Sequence, residues 1–137
     1  MEDNIQTTFI MLKPDALKRG LTGEIISRIE RKGYRITDIK MMNLSKELLA
    51  EHYAHIKNES FYPRLESYMM SGPVIAMKIT GERAVAGMRQ IMGATKFEDA
   101  LAGTIRGDYA TDNTYNLIHG SDSPENAAIE IKRFFGE

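Results

Sequence analysis

The residues best suited to chemistry in this 137-residue sequence gather in Asn116-Leu117-Ile118-His119-Gly120-Ser121-Asp122-Ser123, where an apolar pair leads to a histidine and then a small polar turn. Imidazole is available as a neutral base near pH 7, and a free ring nitrogen can attack phosphorus directly. The second ring nitrogen then needs an acceptor. Glu130, seven residues beyond Ser123 on one stripe of the last predicted helix, could lean its carboxylate back toward His119, because helical side chains tilt toward the N-terminus. Ser123-Pro124 suits a helix start, serine being a favoured N-cap and proline the first helical residue. A helix N-terminus of that kind favours an anionic partner such as phosphate. A histidine at a strand end also suits a purely structural role, so the rest of the chain has to decide between the two.

Three cations could complete a phosphate site. Lys13 stands at the end of a β-rich run over 7–12, where Pro14 stops pairing; Arg89 lies at the edge of a helical apolar stripe; Arg106 sits among Gly103, Gly107 and Asp108 in a shaped loop. Singly each reads as surface charge. Brought to one sheet edge with His119 they would neutralise a transferring phosphoryl group.

The elements that must position them follow from periodicity. A strand is predicted over 7–12, a helix capped by Thr22 with Ile25, Ile26 and Ile29 inward and Gly33 as its stop, and a strand over 34–44 with a bulge near Ile39-Lys40. Ser45 caps a helix running to Ile56, and a second helix carries Phe61, Leu65, Tyr68 and Met69, so the two form a hairpin. A strand over 74–80 ends at Gly81, a helix over 82–92 buries Ala84, Val85, Met88, Ile91 and Met92, and 94–115 reads as a long loop. A strand over 115–118 precedes the helix over 123–135, packed by Ala127, Ala128, Ile131, Phe134 and Phe135. The order reduces to βαββαβ with an inserted helical hairpin and a C-terminal helix, an α/β (α+β) ferredoxin-like sandwich on a four-stranded antiparallel sheet.

The totals exclude several classes. The length suits a single domain over 1–137, and 18 basic against 19 acidic residues give a net charge of −1, which recommends neither nucleic acid nor an anionic membrane as partner. There is no cysteine, hence no disulfide, thiolate nucleophile or cysteine-ligated zinc. No apolar run reaches the length of a membrane span and the first residues are acidic and polar, so the chain reads as soluble and cytoplasmic. The patterns GxxxxGK[ST], GxGxxG and HExxH are absent, while His52 and His55, three apart, could share a metal on one helix face.

The segment around His119 closely resembles the active-site signature of nucleoside diphosphate kinases. The likeness extends in order and spacing through Lys13-Pro14-Asp15, Arg19-Gly20-Leu21, Gly23-Glu24-Ile25-Ile26, His52-Tyr53, Ser71-Gly72-Pro73-Val74 and Gly103-Thr104-Ile105-Arg106-Gly107-Asp108. The resemblance implies a ping-pong transfer of the γ-phosphate of a nucleoside triphosphate (ATP, GTP or another) to a nucleoside diphosphate through a phosphohistidine on His119. Mg²⁺ would be held by the nucleotide phosphates and not by protein side chains. It further implies that Lys13 contacts the γ-phosphate and sugar hydroxyl, that Tyr53 lies beside the reacting ring, and that Arg89, Thr95 and Arg106 hold the phosphates. Asn116 would bind the ribose, Phe61 would stack on the base beside Leu65 and Asn113, and Ser121 would bond to Glu130, which orients His119. Stacking reads a ring face, so broad base tolerance follows.

Departures from the family pattern are Lys96-Phe97 in place of an Asn-Pro pair, Ala102 in place of a proline, and Tyr115 where arginine is frequent. The first two fall in a loop that relatives use between subunits, so loop rigidity and oligomer stability are in question. A homo-oligomer is implied, and with the chain ending at Glu137 both tetramer and hexamer stay open. A phosphohistidine carrier that never exchanges nucleotide is the rival reading; an RNA-binding module is disfavoured because no aromatic RNA-binding motif occurs.

Overall fold

The computed structural model describes residues 4–136. Four strands form one antiparallel sheet in the order β2-β3-β1-β4: β1 is Ile5–Leu12, β2 Arg35–Met42, β3 Val74–Glu82 and β4 Ile118–Gly120. The helices are α1 (Pro14–Lys18), α2 (Thr22–Lys32), α3 (Lys46–His52), α4 (Tyr62–Met69), α5 (Ala84–Met92), α6 (Ile105–Tyr109) and α7 (Pro124–Phe135). This is the expected ferredoxin-like order.

Both faces of the sheet are covered, which explains why β1 reads as one continuous apolar run instead of alternating. Ile10 and Leu12 point to one side and pack with Ile75, Met77 and Ile79 of β3 under α2 and α5. Phe9 and Met11 point to the other, with Val74 and Ala76, under Leu49 of α3, Tyr68 and Met69 of α4 and Phe134 of α7. Each fully buried Val, Leu, Ile, Phe or Met among them contributes roughly 1.5–3 kcal/mol. The hairpin and the last helix therefore supply the lid of the second face.

Several boundaries differ from the sequence reading. β2 is shorter than expected, and its register irregularity falls between Ile36 and Asp38, ahead of Ile39-Lys40. β3 does not stop at Gly81 but runs to Glu82, because Gly81 and Glu82 pair with Gln6 and Ile5 of β1; the Tyr34 ring packs over Gly81, where a Cβ would stand 2.3 Å from Tyr34 Cδ1. Leu21, not Thr22, is the N-cap of α2. Helix α3 ends at His52. The supposed loop 94–115 is partly structured: it contains a 3₁₀ turn over Phe97–Asp99 and α6, whose N-cap Thr104 accepts the Gly107 N–H at 2.9 Å. Phe97, one of the departures, packs on the core, while Ala128 of α7 faces solvent.

Candidate active site

His119 is the middle residue of β4, opposite Met11 on central strand β1, and so is part of the sheet instead of following it. The expected strand over 115–118 is displaced because Leu117 has φ +78° and the Ile118 N–H donates to the Asn116 carbonyl at 2.9 Å. A three-residue turn with a non-glycine residue at positive φ is strained. It is held in place by the Lys13 N–H, which donates to the Leu117 carbonyl at 2.9 Å, and by full burial of the Leu117 side chain. The turn fixes Asn116 beside Lys13, whose Nζ donates to Asn116 Oδ1 at 2.7 Å, while Asn116 Nδ2 donates to the Asn113 carbonyl at 3.2 Å.

The two arginines attach to the backbone on either side of the histidine. Arg106 donates to the carbonyls of Ile118 at 2.5 Å and Gly93 at 3.1 Å, and Arg89 donates to that of Gly120 at 3.3 Å. Burial, with the nearby Arg106 guanidinium, pushes the Lys13 ammonium down to about 8, against an opposing pull from Asp15. Burial and the charge of Arg89 push Arg106 down to about 10, still protonated at neutral pH. Packed cations that disfavour one another's charge are poised for an anion.

His119 Nε2 lies 3.0 Å from Glu130 Oε1, and the same oxygen accepts the Ser121 hydroxyl at 2.5 Å. Burial pushes the Glu130 carboxyl up, but the bonds and charge of His119 and the Ser121 hydroxyl outweigh it and hold Glu130 below its ordinary value. An ionised carboxylate only accepts, so Nε2 carries the hydrogen and Nδ1 keeps the free lone pair. Behind this pair His52 stands edge-on to the His119 ring, centroids 4.9 Å apart. Arginine can only donate, so His52 Nδ1 accepts from Arg133 at 3.0 Å; burial, then the charge of His119, pushes His52 down to about 3 and keeps it neutral. Tyr53 packs against His52, and burial pushes its hydroxyl up to about 12, so it remains a donor.

These side chains open on a cleft of about 860 Å³. Lys13, Tyr53, Phe61, Leu65, Arg89, Thr95, Arg106, Asn113, Asn116, His119 and Glu130 all line it; Ser121 does not, and reaches the site through Glu130. The sequence reading missed His52 as a site residue, Arg133 and Arg64. Arg133 sits one helical turn beyond Glu130, a spacing that could have flagged it. The pairing of His52 with residues some eighty positions away left no local signal.

His52 and His55 do not share a metal position, since α3 ends at the first and His55 is exposed. Among the described residues the one group with metal-ligand proximity is His52, His119 and Glu130. Its atoms are engaged by Arg133, by Ser121 and by one another, and two imidazoles do not suit Mg²⁺, which takes oxygen ligands. These residues offer no cage for that ion.

A nucleoside diphosphate kinase profile matches residues 6–137. The chain belongs to the nucleoside diphosphate kinase family. It is 50% identical to the nucleoside diphosphate kinase of Thermus thermophilus over 131 residues, covering 96% of each chain. It is 49% identical to that of Acetivibrio thermocellus, covering 97% of this chain and 98% of the relative. Its fold superposes on a halophilic nucleoside diphosphate kinase from Halobacterium salinarum in complex with CDP, with a TM-score of 0.92 and 46% identity over 96% of this chain and 88% of the other. The chain is a phosphotransferase that passes a γ-phosphate from nucleoside triphosphate to nucleoside diphosphate through a phosphohistidine on His119. No described helix is long and apolar enough to cross a membrane.

Proposed function

We propose that His119 Nδ1 is the atom that carries the phosphate. The observation behind this assignment is the 3.0 Å contact of Nε2 with the ionised Glu130, which commits one ring nitrogen and frees the other. In the first half-reaction the Nδ1 lone pair attacks the γ-phosphorus, the bond to the bridging oxygen breaks, and the diphosphate leaves with that electron pair. The Nε2–H stays in place and the ring becomes cationic, so Glu130 stabilises the phosphorylated ring more than the free one. The second half-reaction reverses these steps with a different diphosphate.

Lys13, Arg89, Thr95 and Arg106 hold the phosphates in this reading, Tyr53 donates its hydroxyl beside the ring, and Ser121 fixes Glu130. Asn116 binds the ribose, and the base stacks on Phe61, 52% exposed in the cleft, with Leu65 and Asn113 beside it. Mg²⁺ would be held by the nucleotide phosphates and would supply neutralisation of their charge there. The chain acts as one domain in the cytoplasm and assembles as a homo-oligomer, tetramer or hexamer; edge strand β2, with Ile39 47% and Met41 64% exposed, supports assembly.

Incubation with γ-labelled ATP, desalting and addition of a nucleoside diphosphate should return labelled triphosphate, with an acid-labile label on the enzyme in between. His119→Ala should abolish both steps. An acid-stable label would refute the assignment to His119, and retention of label after diphosphate is added would favour a carrier protein.

A further inference from the structure

The cleft holds two arginines that the phosphate reading does not use: Arg133, which donates to His52 and Glu51, and Arg64. Arg64 lies three residues beyond Phe61 and one before Leu65, so the three share one face at the start of α4, and all three line the cleft. The Arg64 guanidinium sits over the Tyr115 ring, 6.0 Å from its centroid. It therefore reaches from α4 across to the segment that carries Asn113 and Asn116. Asp112 in that segment is held below its ordinary value by the backbone N–H groups of Tyr115 and Thr114, with the charge of Arg64 adding to the shift.

Arg64 and Asn113, two of the polar side chains that line the cleft with Phe61, present donors. The Asn113 side-chain oxygen is committed to the Phe97 N–H at 2.9 Å, which leaves its NH₂ as the group it can present, and a guanidinium has no acceptor at all. A base stacked on Phe61 thus meets two donors at its edge. Guanine presents two adjacent acceptors, O6 and N7, that match the guanidinium fork; adenine replaces O6 with an NH₂ donor, and uracil offers a single oxygen.

We propose that Arg64, supported by Asn113, reads the O6/N7 edge of the base and makes this enzyme prefer guanine nucleotides. The inference rests on the placement of the base at Phe61. It concerns specificity only, since Arg64 makes no contact with the reacting atoms. The edge is open to water, so the preference stands at the low end for a bidentate base contact, about fivefold.

The test is kcat/KM for GDP, 7-deaza-GDP and ADP as phosphate acceptors, measured on the wild-type enzyme, Arg64→Ala, Arg64→Lys and Phe61→Ala. Wild type should favour GDP over ADP by about fivefold. Removal of N7 should erase part of that ratio. Arg64→Ala should bring the ratio close to one, and Arg64→Lys should leave it intermediate, because a lysine cannot fork. Phe61→Ala should raise KM for all three acceptors alike. Wild-type parity between GDP and ADP, or a ratio that survives Arg64→Ala, overturns the role of Arg64 while leaving the base position intact. A Phe61→Ala variant with unchanged KM for every acceptor overturns the base position, and the specificity inference with it.

Discussion

Replacing Glu130 by glutamine isolates the work done by a single charge. Glutamine keeps the length and an acceptor oxygen, so the contacts from His119 Nε2 at 3.0 Å and Ser121 Oγ at 2.5 Å can both re-form. What disappears is the negative charge facing the ring when it becomes cationic. A hydrogen bond to a charged group contributes about 1.5–3 kcal/mol, and here it is partly screened from water, because only 14% of the Glu130 side chain is exposed. At 1.36 kcal/mol per decade the variant should lose roughly 10- to 150-fold in the rate of phosphoenzyme formation. Rapid-quench single-turnover measurement with labelled ATP reads that step directly, and the Kd for nucleoside diphosphate should change less than twofold. A variant that transfers phosphate at the wild-type rate but binds nucleotide weakly would refute the orienting role and make Glu130 a binding residue.

Four further outcomes follow from the same geometry. Lys13 loses its proton near pH 8 in the free enzyme, so kcat/KM should fall above that pH; in Lys13→Arg the alkaline limb should move upward, and an unmoved limb would assign it elsewhere. His52 binds a proton in the unfolded chain near the ordinary value of 6.5 but in the fold only at about 3, so the unfolded state holds more protons between those values and stability rises with pH there. Denaturant melts should show wild type losing about 2 kcal/mol more than His52→Gln between pH 7 and pH 5. Chelation by EDTA should stop transfer without lowering Tm, since the described residues form no Mg²⁺ cage, and a fall in Tm would reveal a structural ion. Gly87→Ala would set a Cβ 1.6 Å from the Tyr34 hydroxyl and should destabilise by about 1–3 kcal/mol; Tyr34→Ala should suppress that extra cost.

The legible part of this chain was the part governed by local rules. Ser45 and Ser123 cap α3 and α7 through their own side chains, accepting the Leu48 and Asn126 N–H groups at 3.0 Å, as serine at those positions implies. Gly33, at φ +104°, ends α2 for the reason a glycine is needed there. The less legible part required knowing what stands across the fold. Gly81 reads as a terminator, yet it pairs with Gln6 at the start of the chain, and its missing side chain leaves room for the ring of Tyr34, forty-seven positions earlier. His52 reads as one polar helix residue among several until Arg133, from the far end of the chain, fixes its tautomer.

Leu117 marks the boundary between the two kinds of information. Apolar and next to Ile118, it satisfies every local criterion for a strand, and it is indeed fully buried. Its backbone nevertheless turns at φ +78°, a conformation that costs of order 1–3 kcal/mol for a residue with a branched side chain. Burial of the Leu117 side chain, together with the Lys13 N–H bond to its carbonyl, can offset that cost. An extended residue at 117 would carry Asn116 away from Lys13 and shift the Ile118 carbonyl off the Arg106 guanidinium. Leu117→Gly, which removes both the strain and the buried side chain, separates these effects. If the turn exists because packing enforces it, the variant should be less stable than wild type despite its relaxed backbone, and should bind nucleotide more weakly as Asn116 and Lys13 lose their register. A variant as stable as wild type with unchanged nucleotide affinity would mean that the hydrogen bonds alone hold the turn.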